Sequence, residues 1–199
     1  MRILGIDPGS RRTGFGVIEV RGRVTRAIAF GVLPGTGSAL TERLVAIGNA
    51  LDLLLDEHAP DLVSIEQAFH AKNARSTLVL GQVRGLALWL VARRGLPIRE
   101  FAPRSVKLSV TGQGGAGKPQ VAAMVRRLLD LDRTPVADAA DALAIALCGA
   151  RRASSTDARP SRVARAADGT VIDLARAFAP VKRRAEAKAL AGLIARSRK

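Results

Sequence analysis

The sequence predicts an α/β domain, a mixed sheet flanked by helices, followed by a basic C-terminal extension. Three observations predict it. Strand-like apolar runs lead the chain, strand-length and helix-length runs then alternate, and the periodicity dissolves past about residue 150.

The elements follow in order. Residues 2–7 form a compact apolar run closed by Asp7-Pro8-Gly9-Ser10, a turn combination. Residues 13–20 and 24–32 are β-rich and separated by Arg21-Gly22-Arg23, so the opening reads as a three-strand meander. A helix over 38–57 carries Leu40, Leu44, Ile47, Leu51, Leu54 and Leu55 on one face. Pro60-Asp61 ends it, and residues 62–66 make a short buried strand finishing in Glu66. The next helix, 73–93, is apolar on more than one side through Leu78, Leu80, Val83, Leu86, Leu88 and Leu90. Such a helix is deeply buried or packs on another subunit. A strand over 96–101, a short helix over 104–110 and a glycine-rich loop over 112–117 follow. Helices over 118–130 and 136–148 complete the domain, which is expected to end near residue 150.

Composition narrows the function. Hydrophobic residues make up 48% of the 199, which excludes wholesale disorder. Five Phe, one Trp and no Tyr mean an aliphatic, alanine-rich core, so an exposed aromatic merits attention. Cys148 stands alone and forms no internal disulfide, which suits a reducing cytoplasm. The longest apolar run, 86–92, falls far short of a membrane span, so a cytoplasmic protein without membrane contact is expected. The net charge is +15, and residues 151–199 contribute 13 basic against 4 acidic side chains. A polyanionic partner fits that charge, as does a lineage that favours Arg and Ala. Residues 151–170 read as a linker, and short basic helices are expected over 174–178 and 186–194.

Four acids carry the chemistry. Asp7 and Glu66 each close a strand, where sites collect in helix-covered sheets. Asp138 and Asp141 sit at i and i+3 in an alanine-rich helix, so they share one face, and their small neighbours let that helix press on the sheet. Singly, each has an ordinary reading as a turn, a strand edge or a solvated helix face. Gathered, they would repel one another unless a divalent ion joined them, and oxygen-only ligands suit Mg²⁺ or Mn²⁺. His58 and His70 have no partner at zinc-ligand spacing.

The glycine loop offers a decoy. Gly112-Gln-Gly-Gly-Ala-Gly117-Lys118 fits the G-x-x-x-x-G-K phosphate loop, but Pro119 stands where the motif needs a Ser or Thr hydroxyl. Proline also removes a backbone donor from the helix start. No nucleotide cofactor is expected, and Lys118 is read instead as a contact for DNA phosphate.

The motifs Gly5-Ile-Asp-Pro-Gly-Ser-Arg-Arg-Thr-Gly14, Ile65-Glu-Gln-Ala-Phe-His-Ala-Lys-Asn73, Gly81-Gln-Val-Arg-Gly85 and Ala137-Asp-Ala-Ala-Asp-Ala-Leu-Ala-Ile-Ala146 together resemble the bacterial RuvC-type Holliday junction resolvases. The resemblance covers residues 1–150. It implies a ribonuclease-H-like fold with a five-stranded mixed sheet. It also implies a homodimer that nicks two strands of a four-way DNA junction symmetrically, in recombination and repair, beside the RuvAB branch-migration motor. It assigns Asp7, Glu66, Asp138 and Asp141 as catalytic, metal-binding acids for two Mg²⁺, with Mn²⁺ as a substitute. Phe69 falls on an aromatic that engages junction bases, and Lys107 and Lys118 on backbone contacts. Lys72, Arg75 and Arg104 are further candidate phosphate contacts. Residues 73–93 would carry the dimer interface. The Asp-x-Gly strand end is shared with actin-like ATPases and sugar kinases, yet their second phosphate-binding repeat is missing here. A DNA-binding relative without catalysis is the other rival. The extension departs from the family pattern.

Overall fold

The computed structural model describes residues 1–67, 73–154, 163–165 and 171–173. Its centre is a five-stranded sheet in the order β3-β2-β1-β4-β5, built from β1 (Arg2–Asp7), β2 (Arg12–Arg21), β3 (Val24–Pro34), β4 (Leu62–Glu66) and β5 (Ile98–Phe101). The first three strands form the antiparallel meander, and β4 and β5 run parallel to β1 and to each other. The parallel strands need crossovers, which α1 (Leu40–His58) and α2 (Ala74–Arg93) supply. Local chemistry sets their starts: the Glu42 carboxylate accepts from the Ser38 and Ala39 backbone N–H, and Asn73 accepts from Ser76 N–H.

Strand alternation sorts the core into two faces. Leu4, Ile6, Val63 and Ile65 point to α1 and α2, joining Leu51, Leu54, Ala87 and Leu90. Ile3 and Leu62 point the other way, towards α3 (Pro103–Thr111), α4 (Lys118–Leu128) and α5 (Ala137–Ser154). Helix α5 is buried through its middle, with Ala139 to Cys148 enclosed apart from the half-buried Asp141.

Glycines let α5 lie that deep. A Cβ on Gly5 would stand 2.0 Å from the Ala142 carbonyl oxygen, and one on Gly14 would stand 2.0 Å from that of Asp138. On the helix side, a Cβ on Gly149 would strike Ser64 Oγ at 2.1 Å. The expected close approach of a small-residue helix is therefore matched by glycines on the strands beneath it.

Two expectations need correction. Helix α5 does not stop at Cys148 but continues through Ser154, into the segment read as linker. Further along that linker, β6 (Val163–Arg165) pairs antiparallel with β7 (Val171–Asp173), which lies just past its end. Asp168-Gly169 between them is a hairpin signal that the linker reading passed over. The helices expected over 174–178 and 186–194 lie outside the described residues. Among the described residues no helix is long and apolar enough to cross a membrane.

Candidate active site

The same alternation gathers the acids. Counting back from Asp7 in twos gives Gly5 and Ile3, and from Glu66 gives Ser64 and Leu62, so both carboxylates sit on the α5 face. They are neighbours as well, because β1 and β4 are paired in register up to Ile6 and Ile65. Asp7 also pairs with Gly14, the residue directly beneath the Asp138 carbonyl. The first turn of α5 thus carries Asp138 over the end of the sheet, and Asp141 follows one turn later.

The electrostatics record this crowding. The Asp7 carboxyl is pushed up from the ordinary 3.8 to about 7, first by burial and then by the negative charges of Asp141, Glu66 and Asp138, with Lys118 opposing. Glu66 is raised too, by burial and then by Asp141, while Lys118 and Lys107 pull it down. Lys118 Nζ donates to Asp141 Oδ2 at 2.9 Å, and this bond with its charge raises the lysine's pKa. Arg12 Nε donates to Asp138 Oδ2 at 2.6 Å. As they stand, no three His, Cys, Asp or Glu side chains among the described residues are close enough to hold an ion. The ion pairs give a physical reason: a base holds each α5 acid, and uncompensated carboxylates spread apart. The donor set still fits a hard cation, being all oxygen and short of positive charge around Asp7.

The basic candidates divide. Lys118 touches the acids directly, and Lys107 on α3 lies close enough for its charge to act on Glu66. Arg104 is exposed and lays its stem over the glycine loop at Gly114, and Arg75 is exposed in the first turn of α2. Phe69 and Lys72 lie outside the described residues. Sequence reasoning missed Arg12 and also Arg84. The Arg84 side chain donates to the Glu66 carbonyl at 3.4 Å and pairs closely with Glu100, tying α2 to the ends of β4 and β5. Strand parity was the available signal for Arg12, which shares its face with Gly14 and Gly16.

The glycine loop joins helix α3 to helix α4, whereas a phosphate loop follows a strand. With no strand leading into it and Pro119 in place of the hydroxyl, the decoy reading has no structural support.

This sheet order, with acids collected at the ends of adjacent parallel strands beneath a buried helix, defines a ribonuclease-H-like nuclease. A family model described as "Crossover junction endodeoxyribonuclease RuvC" matches residues 3–149. A relative of that name from Maricaulis maris (strain MCS10) is 54% identical over 158 residues, 78% of this chain and 95% of the relative. The solved structure of Thermus thermophilus RuvC is 32% identical and superposes with a TM-score of 0.71, over 78% of this chain and 96% of that one. The same protein in complex with a Holliday junction substrate superposes at 0.73. The chain belongs to the RuvC family of crossover junction endodeoxyribonucleases, which are metal-dependent nucleases.

Proposed function

We propose that this chain resolves four-way DNA junctions as a cytoplasmic homodimer, placing one nick in each of two symmetric strands. Asp7, Glu66, Asp138 and Asp141 would hold two divalent ions, Mg²⁺ with Mn²⁺ as substitute. The observation that carries this reading is the Asp7 carboxyl, pushed to about 7 by burial and by the three other acids. Arg12 and Lys118 engage only the two α5 acids, so burying Asp7 and Glu66 beside them is a cost that a bound metal ion would offset. Bound there, the ions would activate a water and stabilise the leaving oxygen of the phosphodiester, and the expected ends are 5′-phosphate and 3′-hydroxyl.

The chain's own residues do the rest. Glu66 and Asp7 are anchored by the sheet, Asp138 and Asp141 by the glycine-docked helix, so the backbone under the acids is in place and their side chains have only to close on the ions. Lys118 and Lys107 stand beside the acids and hold the phosphate backbone near the cut. Arg75, Arg104 and Lys72 extend that grip, and Phe69 stacks on a base at the opened junction centre. The family resemblance adds RuvAB as working partner. We assign the nuclease to residues 1–150, supported by the family match at 3–149, and the remaining 151–199 to a basic accessory extension.

The dimer reading draws on α2. Leu78 is 70% exposed and Trp89 54%, one helical stripe with Gly81 and Gly85 open between them. The Arg93 guanidinium covers one side of the Trp89 ring at 4.8 Å. A second α2 could lie close across the two glycines. Purified protein with Mg²⁺ should cut a labelled synthetic junction in symmetric pairs and leave linear duplex of the same sequence uncut. Equal cutting of both would sink the junction assignment. A Cβ added at Gly85 meets no other described residue within 4 Å, so Gly85→Lys should fold, sediment as a monomer and lose paired nicking. A dimer persisting in that variant would move the interface elsewhere.

A further inference from the structure

We propose that Arg12 is a resident counter-cation of the acid cluster, a positioning residue that holds Asp138 and competes with an incoming metal ion for it. The inference rests on the proposed metal-binding role of the four acids and adds a residue to which no role has been given.

Arg12 opens β2, and the alternate residues Gly14, Gly16 and Ile18 all face α5. Its side chain therefore leaves the sheet on the side of the acids. Both ends of the 2.6 Å contact to Asp138 are built on firm backbone. Behind Arg12, the buried Thr13 hydroxyl donates to the Gly9 carbonyl at 2.7 Å and accepts from the Gly9 N–H at 3.3 Å, fastening the β1–β2 turn. Ahead of it, Gly14 lies against the Asp138 backbone and fixes the first turn of α5. The pair spans 126 residues of sequence, so the tertiary fold makes it and the local chain does not.

The pairing is matched one turn along α5, where Lys118 holds Asp141. Each acid of this helix thus carries a cation of the protein's own. An ion that takes Asp138 must break a charge-assisted hydrogen bond and then sit near a displaced guanidinium. The Arg12 side chain is 60% exposed, which leaves room for it to swing clear once displaced. The consequence is a free enzyme that binds metal less tightly than four carboxylates alone would.

The test is Mn²⁺ binding to the full-length, DNA-free protein, read from the free-ion signal in electron paramagnetic resonance. Arg12→Ala should tighten Mn²⁺ binding about three- to tenfold, the scale of an exposed ion pair plus a nearby like charge. Arg12→Lys keeps the charge and should stay close to the parent. Asp7→Asn, introduced alone and together with Arg12→Ala, should weaken binding in both backgrounds. If Arg12→Ala leaves affinity unchanged or lowers it while Asp7→Asn still weakens it, the counter-cation role is overturned and the acid site stands. If Asp7→Asn changes nothing, the metal site itself fails, and this proposal with it.

Discussion

Asp7→Asn is expected to remove strand cleavage, by about a thousandfold or more, the scale seen when one charge-stabilising group leaves a pre-organised site. Junction binding should survive, because phosphate contacts come from basic side chains that the change leaves in place. The same change should make the metal-free protein more stable. The Asp7 carboxyl titrates at 3.8 unfolded and at about 7 folded, so the native state binds the proton more tightly. For an acid shifted upward, no penalty exists below the unfolded value. The penalty grows as pH rises from about 4 to 7 and is complete above that, at up to about 4 kcal/mol. Melting curves in EDTA should therefore show the asparagine variant more stable than the parent at pH 8, with the gap closing by pH 4. Residual cleavage near the parent level would remove Asp7 from the mechanism. A variant less stable than the parent at pH 8 would mean that its carboxylate is already balanced.

The second large effect is steric. Gly14→Ala would place a methyl 2.0 Å from the Asp138 carbonyl oxygen and 2.6 Å from its carbonyl carbon. Those atoms are helix backbone and cannot rotate aside, so the first turn of α5 or the strand below must move. Overpacking of this kind costs about 1–3 kcal/mol. For a domain of this size each kcal/mol lowers the melting temperature by about 2–4 °C. The activity loss should be larger in proportion, since a displacement near 1 Å at a catalytic group costs roughly a hundredfold. Gly115→Ala, with nothing within 4 Å of its added Cβ, is the matched control and should melt like the parent. A Gly14→Ala protein with parental melting and parental cleavage would show that α5 is not held where the acids need it.

Much of this was legible from the chain. The expected strands 2–7 and 62–66 coincide with β1 and β4, and the boundaries of β2, β3, α1 and α2 fall within a few residues of those expected. Each of those signals is local: apolar period, a turn dipeptide, a cap. The RuvC family and the ribonuclease-H-like sheet followed from four motifs in order, and the match over 3–149 agrees. The pairing of residues 163–165 with 171–173 went unread, because three-residue strands are too brief for alternation to register.

The sequence by itself determined which residues are acids, where strands end, and that Pro119 stands where a phosphate loop carries its hydroxyl. Those properties live within a few residues of chain. Only the tertiary structure decided that Asp7, Glu66 and α5 share one face of the sheet, and that Arg12 and Lys118 each hold an acid far away in sequence. It also decided that Gly5 and Gly14 serve as a seat for α5 and are more than turn residues. The reason is the same in each case. Such contacts depend on strand order and on how deeply one helix docks, and no window of local sequence carries that information.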